Sequence, residues 1–352
     1  MERLSESRSS LVRKYKHIVI SKFGGPENLL LAEDELPEPR ANEVRVKVFA
    51  AGVSFADVLM REGVHPESMN HGRPPFTPGW DLVGVIDKLG EKVSTWQTGQ
   101  VVAALPIVGG YAEHISLSSD EMVPVPPGLD PGEAVSLVLN YTTAYQMLHR
   151  CAHIKPGEII LIHGAAGGVG TALLQLGKLA NLKMYGTASS NKQDIVSSLG
   201  GIPIDYKSVD LVQEITKLTG QDGEGERGVD AVFDAIGGKS FKSSYEVLRS
   251  GGRLVAYGAF SPMDIEYWLM MFTLNLVPDT REFMLYSIQT LKRLKPDWFH
   301  ADLTLLLNLL KQGKIKPIVE ARMPLNQAAQ AHELLGSGSV KAGKIVLINN
   351  DR

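Results

Sequence analysis

Cysteine is nearly absent from this chain: Cys151 is the only one in 352 residues. That excludes a disulfide within the chain and any structural zinc site built on several thiolates, and it makes the cytoplasm the natural compartment. An excess of charge of one sign is lacking too. Thirty-six Lys and Arg stand against 39 Asp and Glu, a net charge of −3, so no strong field draws the chain to nucleic acid or to an acidic membrane. Long hydrophobic runs are also missing. The nearest, Trp268 to Val277, is interrupted by Asn275 and falls short of the ~20 apolar residues of a membrane span. Residues 1–15 mix Glu, Arg and Ser without an apolar core and read as a polar extension, not a secretory signal.

Glycine is plentiful, with 35 residues beside 19 prolines, and the use made of them divides the chain. In the first third, Val44, Val46 and Val48 alternate with Arg45 and Lys47, the period of a half-buried strand. Breakers recur at Gly24-Gly25-Pro26, Pro74-Pro75, Pro78-Gly79 and Gly109-Gly110. Short strands so punctuated predict a compact, barrel-like β domain, with one helix over Phe55–Arg61 entered from Ser54. Near residue 130 the pattern changes. Pro131 opens a helical stretch reaching Arg150. Strands are then expected at Ile159–His163, Lys183–Thr187, Ile202–Asp205, Val229–Asp234, Arg253–Tyr257 and Glu282–Ile288. Helices are expected between them at Thr171–Ala180, Asn191–Leu199, Val209–Leu218 and Phe241–Leu248. Such alternation predicts an α/β fold with a doubly wound parallel sheet. The tail reads as a helix over Leu303–Leu310, a strand over Gly313–Val319 and a final strand over Gly343–Ile348. Local pattern does not say which sheet that last strand joins.

The first strand of the alternating region runs directly into Gly164-Ala-Ala-Gly-Gly-Val-Gly170, and a helix follows. Backbone N–H groups at a helix N-terminus can receive a dinucleotide pyrophosphate where no side chain blocks the approach. Gly167 permits that approach and Gly170 lets helix and strand pack closely, so Ala166, Gly167, Gly168, Val169 and Gly170 are the candidate phosphate residues. Ala165 stands where the strict G-x-G-x-x-G pattern places its first glycine. An acidic residue about 20 positions beyond the glycines would bind the ribose 2′-hydroxyl of NAD. This chain has Thr187-Ala-Ser-Ser-Asn-Lys192 there. Small hydroxyls and a cation suit a 2′-phosphate, so Ser189, Ser190 and Lys192 point to NADPH.

Several motifs together carry a family resemblance. Gly157-Glu158, Ala165-Ala-Gly-Gly-Val-Gly170, Gln175 and Lys178 resemble the signature of the zinc-free, zeta-crystallin-like quinone oxidoreductases among the medium-chain dehydrogenases/reductases. Ala51-Gly-Val-Ser-Phe-Ala-Asp-Val-Leu-Met-Arg-Glu-Gly63, Pro78-Gly-Trp-Asp-Leu-Val-Gly84 and Thr143-Ala-Tyr145 are similar to further elements of that branch. The resemblance runs from about Lys16 to Ile348. It implies a GroES-like catalytic domain over 16–138 and 298–352, a Rossmann domain inserted over 139–297, NADPH in the cleft between them, and a homodimer. It implies that Thr143 lies near the nicotinamide, that Lys192 and Tyr206 contact the 2′-phosphate, and that the chain passes the cofactor at Gly258.

The departures bear on the reaction. Ser54 replaces the family's asparagine, and Leu59 and His65 stand where some quinone reductases carry tyrosines. The Gly-His-Glu element of zinc alcohol dehydrogenases becomes Gly79-Trp80-Asp81, and Cys151 comes too late to be the first ligand. No metal is therefore expected. Without a Lewis acid to activate an alcohol, the implied reaction is hydride transfer to an already electrophilic acceptor, a quinone or an α,β-unsaturated carbonyl. Ser54, His65 and Tyr145 are the candidate proton donors, with solvent as the other source. Asp57 and Asp81 read as helix and turn structure. Residues 260–280 are expected to line the pocket or to pack as an apolar segment. The alternative reading is a non-catalytic NADPH-binding protein of the same fold, crystallin-like or vesicle-associated.

Overall fold

The computed structural model describes residues 13–70, 73–220, 227–258 and 280–349. The segment 260–279 and the run from Trp268 to Val277 lie outside the described residues. Among those described, no helix is long and apolar enough to cross a membrane.

An antiparallel hairpin, β1 (Lys14–Ile20) and β2 (Leu29–Glu35), begins the described chain. It is followed by β3 (Glu43–Val53), β4 (Leu82–Leu89), β5 (Val101–Ala104), β6 (His114–Ser118) and β7 (Met122–Pro124). Val44, Val46 and Val48 are fully buried, as their alternation requires. Arg45 is buried too, with its Nε on Asp87 at 2.8 Å and one terminal nitrogen on the Pro37 carbonyl at 3.2 Å. One edge of β3 carries β4. The other carries β6 along Glu43–Lys47 and then the chain's last strand along Ala50–Val53.

The second sheet is wholly parallel. Its strands are β8 (Ile159–Ile162), β9 (Lys183–Ala188), β10 (Ile202–Asp205), β11 (Val229–Asp234), β12 (Leu248–Tyr257) and β13 (Glu282–Tyr286), in the order β10-β9-β8-β11-β12-β13. Strand order reverses between β8 and β11, and in open α/β sheets ligands bind outside the carboxyl ends of the strands at such a switch point. The final strands, β14 (Val319–Pro324) and β15 (Lys344–Ile348), return to the first sheet, where β15 lies between β14 and β3. A Rossmann sheet is thus inserted in a GroES-like β domain. One hydrophobic cluster spans both, from Val83 and Ala103 through the helices near 131–151 and 296–311 to Ile160 and Phe233.

Several expected elements shift: the strand at Arg253–Tyr257 begins at Leu248, and the helix at Leu303–Leu310 spans Pro296–Lys311. The strand read over Gly313–Val319 begins at Val319, because Gln175 takes the Lys316 backbone: its Oε1 accepts from the Lys316 N–H at 2.7 Å and its Nε2 donates to the Lys316 carbonyl at 2.8 Å. Pro317 has no N–H to offer a ladder. The helix read over Phe241–Leu248 spans Ser240–Glu246, and Leu248 already pairs with Val229 as the start of β12. The helical stretch from Pro131 runs to Cys151 as expected, capped by Asp130, but Leu137–Tyr141 and Met147–Cys151 are wound as π-helix. Such wider turns re-aim side chains and often mark functional sites.

Candidate functional site

β8 ends in the Gly-rich turn. Gly164 has φ +63°, a left-handed conformation that glycine adopts without a Cβ clash. The Gly164 N–H donates to the Thr187 hydroxyl at 3.2 Å, and the Gly167 N–H donates to the Gly164 carbonyl at 2.9 Å. Gly167 then opens the helix Gly168–Leu179 with no side-chain cap. The first-turn N–H groups of Gly168, Val169 and Gly170 have no acceptor inside their helix. A Cβ on Gly168 would strike the Asn140 amide, and one on Gly170 would strike the Gly164 carbonyl. Ala165 and Ala166 are buried; a Cβ on Gly186 would sit 2.6 Å from that of Ala165. The turn is also clamped from the other sheet, since the Gly343 N–H donates to the Ala166 carbonyl at 3.1 Å. Uncapped N–H groups, glycines that cannot be larger and a fixed frame fit a pyrophosphate.

The next strand ends at Ala188, and the hydroxyl of Ser189 after it donates to Asn191 Oδ1 at 2.7 Å. Ser190 is exposed. Lys192 is held in place: its Nζ donates to the carbonyls of Gly338 at 3.0 Å and Val340 at 2.7 Å. An ammonium has three donors, so one remains. Asp205 pairs with Ala188, which brings Tyr206, 54 % exposed, alongside Ser189. Gly258 is exposed at the end of β12 with φ +69°. Thr143 is buried. The Tyr286 hydroxyl donates to Gln146 Oε1 at 2.8 Å, and Gln146 Nε2 donates to Asp302 at 3.0 Å. Asp302 is paired with Arg150 at 2.8 Å.

The three candidate proton donors lie in different surroundings. Ser54 caps the helix Phe55–Glu62 in a reciprocal box with Asp57. Its hydroxyl donates to Asp57 Oδ2 at 2.6 Å. His65 accepts the Glu67 N–H on Nδ1 at 3.1 Å and sets its ring edge-on to Trp80, centroids 5.2 Å apart. Tyr145 packs against His149, centroids 4.5 Å apart; burial and Asp302 raise its hydroxyl.

Asp57 is fully buried and also accepts the Gly79 N–H at 3.1 Å. Burial outweighs these bonds and lifts its carboxyl from 3.8 to about 7. Between those values the folded protein holds a proton that the unfolded chain has released. The group's contribution to stability is therefore full below the lower value and is lost as pH rises through the upper one. Asp57→Asn should flatten the fall in stability between about pH 4 and about pH 7. Urea midpoints of both proteins across that range check it, and parallel curves would refute it.

Residues that zinc would require are differently employed. Trp80 is buried with its indole N–H on Met60 Sδ at 3.0 Å, and Asp81 is neutralised by Lys344 at 2.6 Å. His149 and His153 stand four apart, yet among the described residues no group of three or more His, Cys, Asp or Glu could hold a metal ion. This donor set does not fit the metal.

A Gly-rich turn at a switch point, facing a β domain that reclaims the chain's end, defines a class: two-domain, nucleotide-dependent oxidoreductases. Residues 40–127 match the alcohol dehydrogenase GroES-like domain, and residues 199–347 match the family model described as zinc-binding dehydrogenase. Mouse quinone oxidoreductase is 32% identical over 94% of this chain and 97% of its own. The zebrafish synaptic vesicle membrane protein VAT-1 homolog is 32% identical over 95% of this chain and 70% of its own. The crystal structure of Escherichia coli quinone oxidoreductase complexed with NADPH superposes with TM-score 0.85 at 27% identity, covering 95% of this chain and all of that one. The chain belongs to the zinc-free medium-chain dehydrogenase/reductase family, in its quinone oxidoreductase branch.

Proposed function

We propose that this protein is an NADPH-dependent reductase that transfers hydride to a quinone or an α,β-unsaturated carbonyl without a metal. The observation that carries this reading is the uncapped Gly167–Gly170 turn, framed by Asn140 and clamped by Gly343 at the carboxyl end of β8. Gly168, Val169 and Gly170 would receive the pyrophosphate on their N–H groups. Ser189, Ser190, Lys192 and Tyr206 would meet the 2′-phosphate. Thr143 and Gly258 would flank the nicotinamide, which supplies the hydride when bound. An acceptor that is electrophilic by itself fits this site, because Trp80 and Asp81, committed to Met60 and Lys344, offer no ligands for a metal that would activate an alcohol. Ser54, His65 and Tyr145 stand as proton sources to be tested against solvent.

The domain division that accompanies this reading is 16–138 with 298–352, and 139–297. The return of β15 to β3 supports it. A cytoplasmic homodimer is the accompanying assembly, and sedimentation at micromolar concentration tests it. For activity, NADPH oxidation should be followed by stopped flow against a panel of quinones and enones. Turnover of at least one class is expected. The second reading is a non-catalytic NADPH-binding protein of the same fold; NADPH binding with no turnover across the panel would decide for it.

A further inference from the structure

Behind the Gly-rich turn runs a row of buried polar groups. His163, directly after β8, is buried. Its Nε2 lies 2.9 Å from Ser244 Oγ, and its Nδ1 lies 3.4 Å from Thr187 Oγ1. The directions of these bonds follow from the two ends. Asp234 accepts throughout: from the N–H groups of Ile236 at 2.8 Å and Gly237 at 3.2 Å, and from the hydroxyls of Ser240 and Ser244, both at 2.7 Å. Ser244 has spent its hydrogen on Asp234, so its oxygen accepts from His163, and Nε2 carries the proton. At the other end the Gly164 N–H already donates to Thr187 Oγ1 at 3.2 Å, leaving the Thr187 hydrogen for Nδ1. A neutral imidazole has one donor and one acceptor; this site uses one of each. Burial pushes the ring's pKa down, against a smaller opposing pull from Asp234.

The row therefore runs in one sense, from the Gly164 N–H through Thr187, His163 and Ser244 to Asp234. It joins the ends of β8, β9 and β11, and so connects the two turns that border the switch point. We infer that His163, as the neutral Nε2–H tautomer, is a positioning residue for the dinucleotide: it ties the Gly-rich turn to the Asp234–Gly238 turn and sets cofactor affinity without touching the ligand. This rests on the cofactor reading above.

NADPH should be titrated by fluorescence into wild type, His163→Phe, His163→Gln, Thr187→Val and the double variant His163→Phe/Thr187→Val, with thermal unfolding of each. His163→Phe and Thr187→Val should each weaken binding by about fivefold to tenfold. The glutamine, with one amide donor and one acceptor, should recover most of it. The double variant should bind no worse than the weaker single one, since both break the same row. A histidine with only a packing role would lower the unfolding temperature and leave the dissociation constant alone. Where a variant fails to fold, the ¹⁵N spectrum of histidine-labelled wild type decides: a protonated Nε2 with a bare Nδ1 at neutral pH supports the inference, and a protonated Nδ1 overturns it. Wild type that binds no NADPH overturns the cofactor reading itself. Wild type that binds, beside a folded His163→Phe of equal affinity, overturns only the role of His163.

Discussion

Lys344→Ala is expected to remove about 3–5 kcal/mol of folding stability, the usual loss when one partner of a buried ion pair is deleted. Lys344 Nζ lies 2.6 Å from Asp81 Oδ2, and both residues are buried. The other carboxylate oxygen, Oδ1, accepts the Gly52 N–H at 3.1 Å. Gly52 is where the lysine passes: a Cβ there would strike Lys344 and Asp81. Without the ammonium, Asp81 is a charge in the core with one backbone N–H for company. The pair itself is not the source of stability, because desolvating both ions offsets most of their attraction. Asp81→Leu combined with Lys344→Met should accordingly recover most of what Lys344→Ala loses. Urea unfolding of the three variants and wild type tests both statements. A loss below about 1 kcal/mol for Lys344→Ala would mean that water reaches Asp81 and screens it, as at a surface pair.

Lys192→Ala should weaken NADPH binding about tenfold and leave NADH nearly unchanged. A hydrogen bond to a charged group contributes roughly 1.5–3 kcal/mol, and 1.4 kcal/mol is tenfold; partial exposure puts this lysine at the low end. The structure adds a second role. Through the Gly338 and Val340 carbonyls, Lys192 ties the turn after β9 to the segment that precedes β15. That tie orients the third ammonium donor before any ligand arrives. The two roles separate by cofactor, since only NADPH carries the 2′-phosphate. Dissociation constants for both cofactors, wild type and variant, at low and high salt, make the measurement. The NADPH effect should shrink with salt as the contact is screened. Equal loss for both cofactors would show that Lys192 acts only through the 338–340 segment and that NADPH selection lies elsewhere.

Much of this protein could be read from local pattern. Breakers and hydrophobic period located β8 to β11 and β13 to within a residue or two, because a strand's alternation and its bounding turns are contiguous in the chain. The Gly-rich turn was legible for the same reason: strand, glycines and helix follow one another from Ile159 to Leu179. Other features depend on partners far away. Whether β15 joins the Rossmann sheet or β3 depends on which edge its buried residues can complete, and the residues Lys344–Ile348 alone do not carry that information. Ser54 offered a hydroxyl for catalysis or for a cap; Asp57, held three residues on against the Gly79 N–H, made it a cap. Gln175 cancelled a strand at Lys316, 141 residues later. His163 gave no signal in the sequence, because its meaning lies in hydroxyls 24 and 81 positions distant. Secondary structure and the Gly-rich turn followed from neighbours in the chain. Sheet membership, buried charge pairing and the direction of a hydrogen-bonded row were decided by tertiary packing, which alone sets what each polar group finds once water is removed.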